Sequence, residues 1–302
     1  MPPVIQPPSS RVSALKPVEA IDPAFRQIRD LVYNVSGIYQ AEEKLYLLVD
    51  GCGRRMKALG VNGPRDYWNH LTARPSREVE LRNLLNELTI GETCLFRSLP
   101  QLDALKKVIL PELIGEKVRQ VTKKIRIWSA GCSTGEEPYT LAMVFSEEQD
   151  GLLKGWQFEI VATDLNDRSV ETAKAGIYGE YALRNTSDYF KQKYFTRLDE
   201  KKFQIRPELK KPISFSRLNL QDDSKMLFMK GFDVIFCCNV LIYFDGVSKG
   251  RVISHFMNDL SFGGYLFLGT SESLMQLNDQ FHLVHFPGAI AYWKPSPFSQ
   301  KT

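Results

Sequence analysis

Ile125–Met143, IRIWSAGCSTGEEPYTLAM, runs from a short apolar strand (Ile125 to Ala130) through a turn of small residues (Gly131-Cys-Ser-Thr-Gly135) into a helix that opens with Glu136, Glu137 and Pro138. Residues without bulk let a ligand lie against the turn, with backbone N–H groups expected to point at it. Acidic residues in the first helical turn favour the helix dipole and suit a hydroxylated or cationic ligand. This is the entry corner of a doubly wound α/β domain, where small ligands bind beyond the carboxyl ends of the strands. Small residues between strand and helix also occur in purely structural turns, so the stretch sets the fold before it sets the function. It lacks the G-x-G-x-x-G spacing of a dinucleotide pyrophosphate site.

Working outward, Phe158 to Thr163 predicts a second buried strand ending on Asp164, followed by an amphipathic helix from Ser169 to Ala175. A carboxylate at the tip of the second strand is where a ribose diol is held. A ribose acid without a pyrophosphate cradle favours S-adenosylmethionine over NAD. Further strands are predicted at Ile213 to Leu218, Phe232 to Asn239 and Tyr265 to Thr270, with helices between most of them, as a mainly parallel sheet demands. A closing antiparallel hairpin, Phe281 to Phe286 and Ala289 to Trp293, turns at Pro287-Gly288. A polar insertion from Tyr181 to Lys211, with Phe203 and Ile205 alternating, predicts a small antiparallel excursion.

Upstream the period changes. Phe25, Ile28, Leu31 and Val32, then Leu45, Leu48, Val49, Cys52, Met56 and Leu59, recur at helical spacing. The expected organisation is a disordered proline-rich tail over 1–16, a helical domain over 17–100, a linker helix over 101–124 and an α/β domain over 125–302 with its β-insertion near 181–211. Length (302 residues) and 43% apolar content suit a globular chain with ample core. A net charge of +4 is too mild to argue for nucleic acid. Five cysteines without C-x-x-C pairs or a disulfide-framework spacing point to a reducing, cytoplasmic setting. The N-terminus has no secretory pattern, and no stretch is long and apolar enough for a membrane span. No metal role is expected for His282 or His285, which fall in a strand-like run.

Four more pieces carry chemistry: Leu88-Thr-Ile-Gly-Glu-Thr93-Cys-Leu-Phe96-Arg97, then Arg217-Leu-Asn219-Leu220, Cys237-Cys238-Asn239-Val-Leu-Ile-Tyr243-Phe-Asp245 and Gly269-Thr-Ser-Glu272. With STGEEPY and the Asp164 acid, they occur in an order that resembles the chemotaxis receptor methyltransferases of the CheR type, over nearly the whole chain after the tail. The resemblance implies an S-adenosylmethionine-dependent methyltransferase sheet (Rossmann-like), an N-terminal all-helical domain and a small inserted antiparallel β-subdomain. The implied activity is methylation of glutamate side chains on methyl-accepting receptors, giving glutamate methyl esters and S-adenosylhomocysteine.

The resemblance also implies roles. Thr93 and Arg97 would reach over the cofactor's methionine end. Glu137 would meet its sulfonium and amino group, Asp164 the ribose hydroxyls, Asn219 and Leu220 the adenine, and Asn239 the methionine portion. Tyr243 would lie close to the reacting methyl. Arg54, Arg55 and Lys57 would face acidic helical bundles of receptors, though the helix dipole alone also favours basic residues at that helix end. Gly91 stands where some members carry Asn, and Cys238 where many carry Arg. The turn at Leu198-Asp-Glu-Lys-Lys202 lacks the glycines of the version that binds a receptor's C-terminal tether, so tether independence is expected.

A glutamate substrate is ionised at pH 7 and the sulfonium is a good leaving group, so displacement at the methyl needs no general base. Arg97 suits a carboxylate grip, with a structural ion pair as the plain alternative. For Asp164 the plain alternative is a helix cap, and for Tyr243 it is ordinary packing. A catalytically silent cofactor-binding scaffold of a chemosensory pathway is the competing function. A nicotinamide oxidoreductase fails on the missing glycine fingerprint.

Overall fold

Alternation along the first strand divides the core. Ile125 and Ile127 face one apolar cluster and Trp128 and Ala130 the other. Val234 and Phe236 against Ile235 and Cys237, and Tyr265 and Phe267 against Leu266 and Leu268, repeat that division. A strand buried on both faces belongs inside a parallel sheet covered by helices. The computed structural model describes residues 22–75, 77–89, 91–118 and 123–296. The expected tail over 1–16 lies outside them.

The strands are β1 (Lys124–Ala130), β2 (Gln157–Asp164), β3 (Ile177–Gly179), β4 (Phe195–Arg197), β5 (Lys202–Ile205), β6 (Ile213–Arg217), β7 (Phe232–Cys237), β8 (Leu260–Leu268), β9 (His282–Phe286) and β10 (Ala289–Trp293). Seven form one sheet in the order β6-β2-β1-β7-β8-β10-β9. β6, β2, β1, β7 and β8 run parallel, and β10 pairs antiparallel with both β8 and β9. From β1 the chain builds first to one side and then, at β7, to the other. The crevice at the carboxyl ends of β1 and β7 is therefore a topological switch point.

Four elements differ from the expectation. β7 stops at Cys237 because Asn239 takes φ +61°, which carries the chain out of the sheet. β8 begins at Leu260, since the helix Gly246–Asp259 runs straight into it. The connection before β1 is a helix Leu99–Ala104, a π-helical turn Leu105–Ile109 and a helix Leu110–Lys117. The widened turn lies just before Pro111, which has no N–H to give the preceding turn. The small antiparallel sheet, in the order β3-β5-β4, takes its first strand from Ile177–Gly179, ahead of Tyr181.

The helical part holds α1 (Pro23–Ser36), α2 (Leu45–Leu59), α3 (Pro64–Thr72) and α4 (Arg77–Leu88). Phe25, Ile28, Val32, Leu45, Leu48 and Cys52 are core, with Leu31, Val49 and Met56 packed against it, whereas Leu59, in the last turn of α2, is exposed. This part is pinned over the switch point at two ends. Near α1, Asn219 Nδ2 donates to Val35 O at 2.6 Å, Tyr39 N to Tyr243 O at 2.9 Å and Tyr33 OH to Asp245 Oδ2 at 2.9 Å. Near α4, Asn166 Nδ2 donates to Asn86 O and Thr89 Oγ1, and Arg168 pairs with Glu87.

Candidate functional site

A cavity of ≈ 460 Å³ opens at the switch point, roofed by Ser36, Ile38, Leu88 and Thr89 of the helical part. Thr93, Arg97, Glu137, Asp164, Asn219, Leu220, Asn239 and Tyr243 all line it. Residues separated by up to 150 positions thus meet in one place. Its volume is that of an ordinary small-molecule site.

The turn itself differs from the expectation. Its N–H groups do not form a cradle for an anion. Gly131 N and Cys132 N donate to Thr163 O, Ser133 N donates to Asp164 Oδ2 at 2.8 Å, and Gly135 N donates to Cys132 O. The end of β2 takes three of these donors and the turn itself the fourth, so the turn offers the ligand little positive potential. What faces the cavity instead is acid.

Asp164 accepts from Asn166 N through one oxygen and from Ser133 N through the other. It is not the helix cap. The side chain of Asn166 caps the helix Asp167–Ala175, accepting from Arg168 N and Ser169 N. Burial raises the Asp164 carboxyl above its ordinary range, against the pull of these backbone N–H groups. Glu137, at the start of the helix Glu136–Glu147, is held by Ser129 Oγ, which donates to its Oε1 at 2.7 Å. Burial pushes this carboxyl up to about 7, opposed by the Ser129 hydrogen bond and by the charge of Arg97. Two carboxyls raised by burial, facing one cavity, fit a ligand that brings a cation and a diol.

Arg97 stands exposed at the rim. Its Nη1 donates to Glu92 O at 2.9 Å, and among the described residues no carboxylate lies within 4.0 Å of it. The ion-pair alternative therefore has no partner there. Its segment is fixed from inside: Leu95 N donates to Ala182 O, Phe96 N to Thr140 Oγ1, and Phe96 is buried at φ +53°. Tyr243, half-exposed at the end of a 3₁₀ turn, is anchored by its carbonyl to Tyr39, which leaves its ring at the mouth.

Asn219 and Leu220 line the cavity differently. Leu220 is core, and the Asn219 amide gives one N–H to Val35 O and accepts from Gln221 N, which leaves its second N–H and a lone pair for a ligand. Asn219 thus ties α1 to the sheet. The three basic residues of α2 part company as well. Lys57 is exposed, and Arg54 pairs with Glu87 at 2.7 Å. Arg55 turns inward to a bidentate pair with buried Glu80, which also accepts from Tyr67 OH at 2.8 Å.

Reading from residue types missed Ser133, Gln101 and Glu272. Ser133 Oγ is buried and has no hydrogen-bond partner among the described residues. A Cβ at position 91 would lie 2.0 Å from it, so Gly91 is set by Ser133. Gln101 Nε2 donates to Leu268 O, and its Oε1 accepts from the Cys238 thiol. Cys237 is core, but Cys238 lines the cavity. Of these only Gln101 lies outside the motifs above, since Ser133 opens STGEEPY and Glu272 ends the Gly269 motif. Among the described residues, no cluster of His, Cys, Asp and Glu is placed to hold a metal, and no helix is long and apolar enough to cross a membrane.

Comparison with known proteins agrees with this geometry. A family described as CheR methyltransferase, all-alpha domain, matches residues 23–89, and one described as CheR methyltransferase, SAM binding domain, matches residues 91–290. A chemotaxis protein methyltransferase of Borreliella burgdorferi is 36% identical over 81% of this chain and 86% of its own length. Chemotaxis protein methyltransferase 2 of Vibrio cholerae is 32% identical over 91% of this chain and 93% of its own. Chemotaxis protein methyltransferase 1 of Pseudomonas aeruginosa is 33% identical over 91% and 99%. With both domains matched in order over nearly all the described residues, the chain belongs to the CheR methyltransferase family and carries that family's S-adenosylmethionine-binding domain.

Proposed function

We propose that this protein transfers a methyl group from S-adenosylmethionine to glutamate side chains of chemotaxis receptors. The observation that carries the reading is the joint placement of acids and one arginine. Glu137 and Asp164 line the cavity, and Arg97 stands at its rim with no carboxylate of its own among the described residues. The bound cofactor supplies a methyl on a positively charged sulfur. Glu137 suits its cationic end and Asp164 its ribose diol. Arg97 suits an incoming carboxylate, held through charge-assisted hydrogen bonds. Such a carboxylate is ionised at pH 7, and among the described residues no histidine lines the cavity, so placement rather than proton removal does the chemistry. An arginine at the mouth with no carboxylate of its own among the described residues favours a substrate-facing role over a silent scaffold.

Lys57 and Arg54 of α2 suit an acidic receptor bundle, with Arg55 holding the helix from behind. The β4–β5 turn is closed on itself, Asp199 Oδ1 accepting from Lys201 N at 2.8 Å and Lys202 N at 2.7 Å. This supports a reading in which no receptor tether is needed. The test is transfer of labelled methyl groups to receptor cytoplasmic fragments, with and without their C-terminal tails. Both should gain label that alkali releases as methanol, as an ester does. Label that resists alkali, or none on any host receptor, would overturn the reading, and label only on tailed fragments would overturn tether independence.

Cofactor affinity should depend on pH. A cationic ligand binds the ionised form of Glu137, whose carboxyl stands at about 7 in the free protein. Affinity should hold above pH 7 and weaken below it, by up to about tenfold per pH unit, with protons released on binding near pH 6. Calorimetry at several pH values checks this, and Glu137→Gln should give a weaker, flat profile. A flat profile in the native protein would remove Glu137 from the cationic end.

A further inference from the structure

Glu272 lies outside the cavity lining and yet holds the loop that closes it. After β8 the chain turns at 269, and Glu272, only 7% exposed, faces back beneath the end of β7. Its Oε2 accepts from Asn239 N at 2.8 Å and from Gly269 N at 2.7 Å, and its Oε1 accepts from Ile242 N at 3.1 Å. Among the described residues no lysine or arginine lies within 4.0 Å of it, so backbone N–H groups are what answer this charge. Such charge-assisted bonds are about twice as strong as neutral ones.

The loop needs the anchor. Asn239 sits at φ +61°, a conformation that costs an ordinary L residue free energy and persists only where its surroundings impose it. Position 269 is reserved for the same purpose: a Cβ there would lie 2.7 Å from Glu272 Oε2 and 2.8 Å from Asn239 N. The two oxygens also divide the loop. Oε2 fixes the end that bears Asn239, and Oε1 fixes the residue next to Tyr243.

We propose that Glu272 is a positioning residue for methyl transfer, setting Asn239 against the cofactor and Tyr243 against the reacting methyl through the 239–243 backbone. This rests on the function proposed above. Glu272→Gln separates the two ends. Its amide oxygen stays between the Asn239 and Gly269 N–H groups, because an NH₂ there would oppose two donors. The NH₂ then confronts the Ile242 N–H, and that one bond is lost.

In Glu272→Gln, kcat for receptor methylation should fall about 10- to 100-fold, the scale of a displaced reacting group. The Kd for S-adenosylmethionine should stay within about twofold. Backbone exchange at Ile242 should quicken while that at Asn239 stays slow. Glu272→Ala, which loses all three bonds, should weaken cofactor binding as well. A kcat equal to that of an active native enzyme, or kcat and Kd failing together in Glu272→Gln, would overturn the assignment. So would fast exchange at Ile242 in the native chain, which needs no variant. If the native enzyme methylates no receptor, the function proposed above falls, and amide exchange still decides whether Glu272 sets the loop.

Discussion

Arg97→Ala should lower methyl transfer to receptor fragments by about 100-fold or more, the usual cost of removing one charged group aimed at a reacting centre. The cofactor Kd should move by less than about tenfold, because the acids that suit the cofactor remain in place. The guanidinium is free to act on a substrate. Among the described residues its guanidinium hydrogen-bonds to the Glu92 carbonyl, and the buried Phe96 beside it fixes where it emerges. Arg97 also lowers the pKa of both Glu137 and Tyr243 through its charge, which places it within electrostatic reach of both. Arg97→Lys should recover part of the rate, since it keeps the charge but loses the two-pronged geometry. Activity in Arg97→Ala within threefold of the native rate would take the residue out of the reaction.

Glu80→Ala should destabilise the helical part by about 3–5 kcal/mol, the cost of leaving one partner of a buried ion pair alone. Arg55 would lose both its hydrogen bonds and Tyr67, fully buried, would lose its acceptor. Burial alone would raise the Glu80 carboxyl, but the bonds from Arg55 and Tyr67 outweigh it and hold the carboxyl below its ordinary value. The stability this lends is therefore complete above the unfolded value of about 4.3 and is lost as pH falls through the lower folded value. Hydrogen exchange across α2 and α4 reads both effects, and protection there should drop about 100-fold or more in the variant. Unchanged protection would show that the pair contributes nothing. Replacing Arg55 and Glu80 together with apolar residues of similar size should cost far less than Glu80→Ala.

The sheet was legible because its signal is local. β1, β2, β7 and β8 each contain an apolar run, and Asp164 and Asn239 mark where β2 and β7 give way to the site. The eight cavity residues were reached through motif order, which carries their proximity without any single motif proving it. What stayed hidden depends on partners far along the chain. Nothing near Arg55 in sequence says that it turns toward Glu80, 25 residues on. The Asn219 amide gives one N–H to Val35, 184 positions earlier, and so helps hold the junction between the two parts. The turn's N–H groups go to β2 because that strand ends level with them, a matter of register and not of composition. β3 escaped because three residues are too few to show a period.

Gly91 and Ser133 bear on the order in which this sequence could change. With the Ser133 side chain in place, any side chain at 91 meets its Oγ at 2.0 Å and its Cβ at 3.0 Å. Ser133 itself stands at φ +48°, where glycine is at ease. Ser133→Gly would therefore open position 91 and ease its own backbone in one step, whereas enlarging 91 first requires the Ser133 hydroxyl, with no hydrogen-bond partner among the described residues, to turn aside. The two positions are coupled through that hydroxyl, and a single substitution from serine to glycine uncouples them.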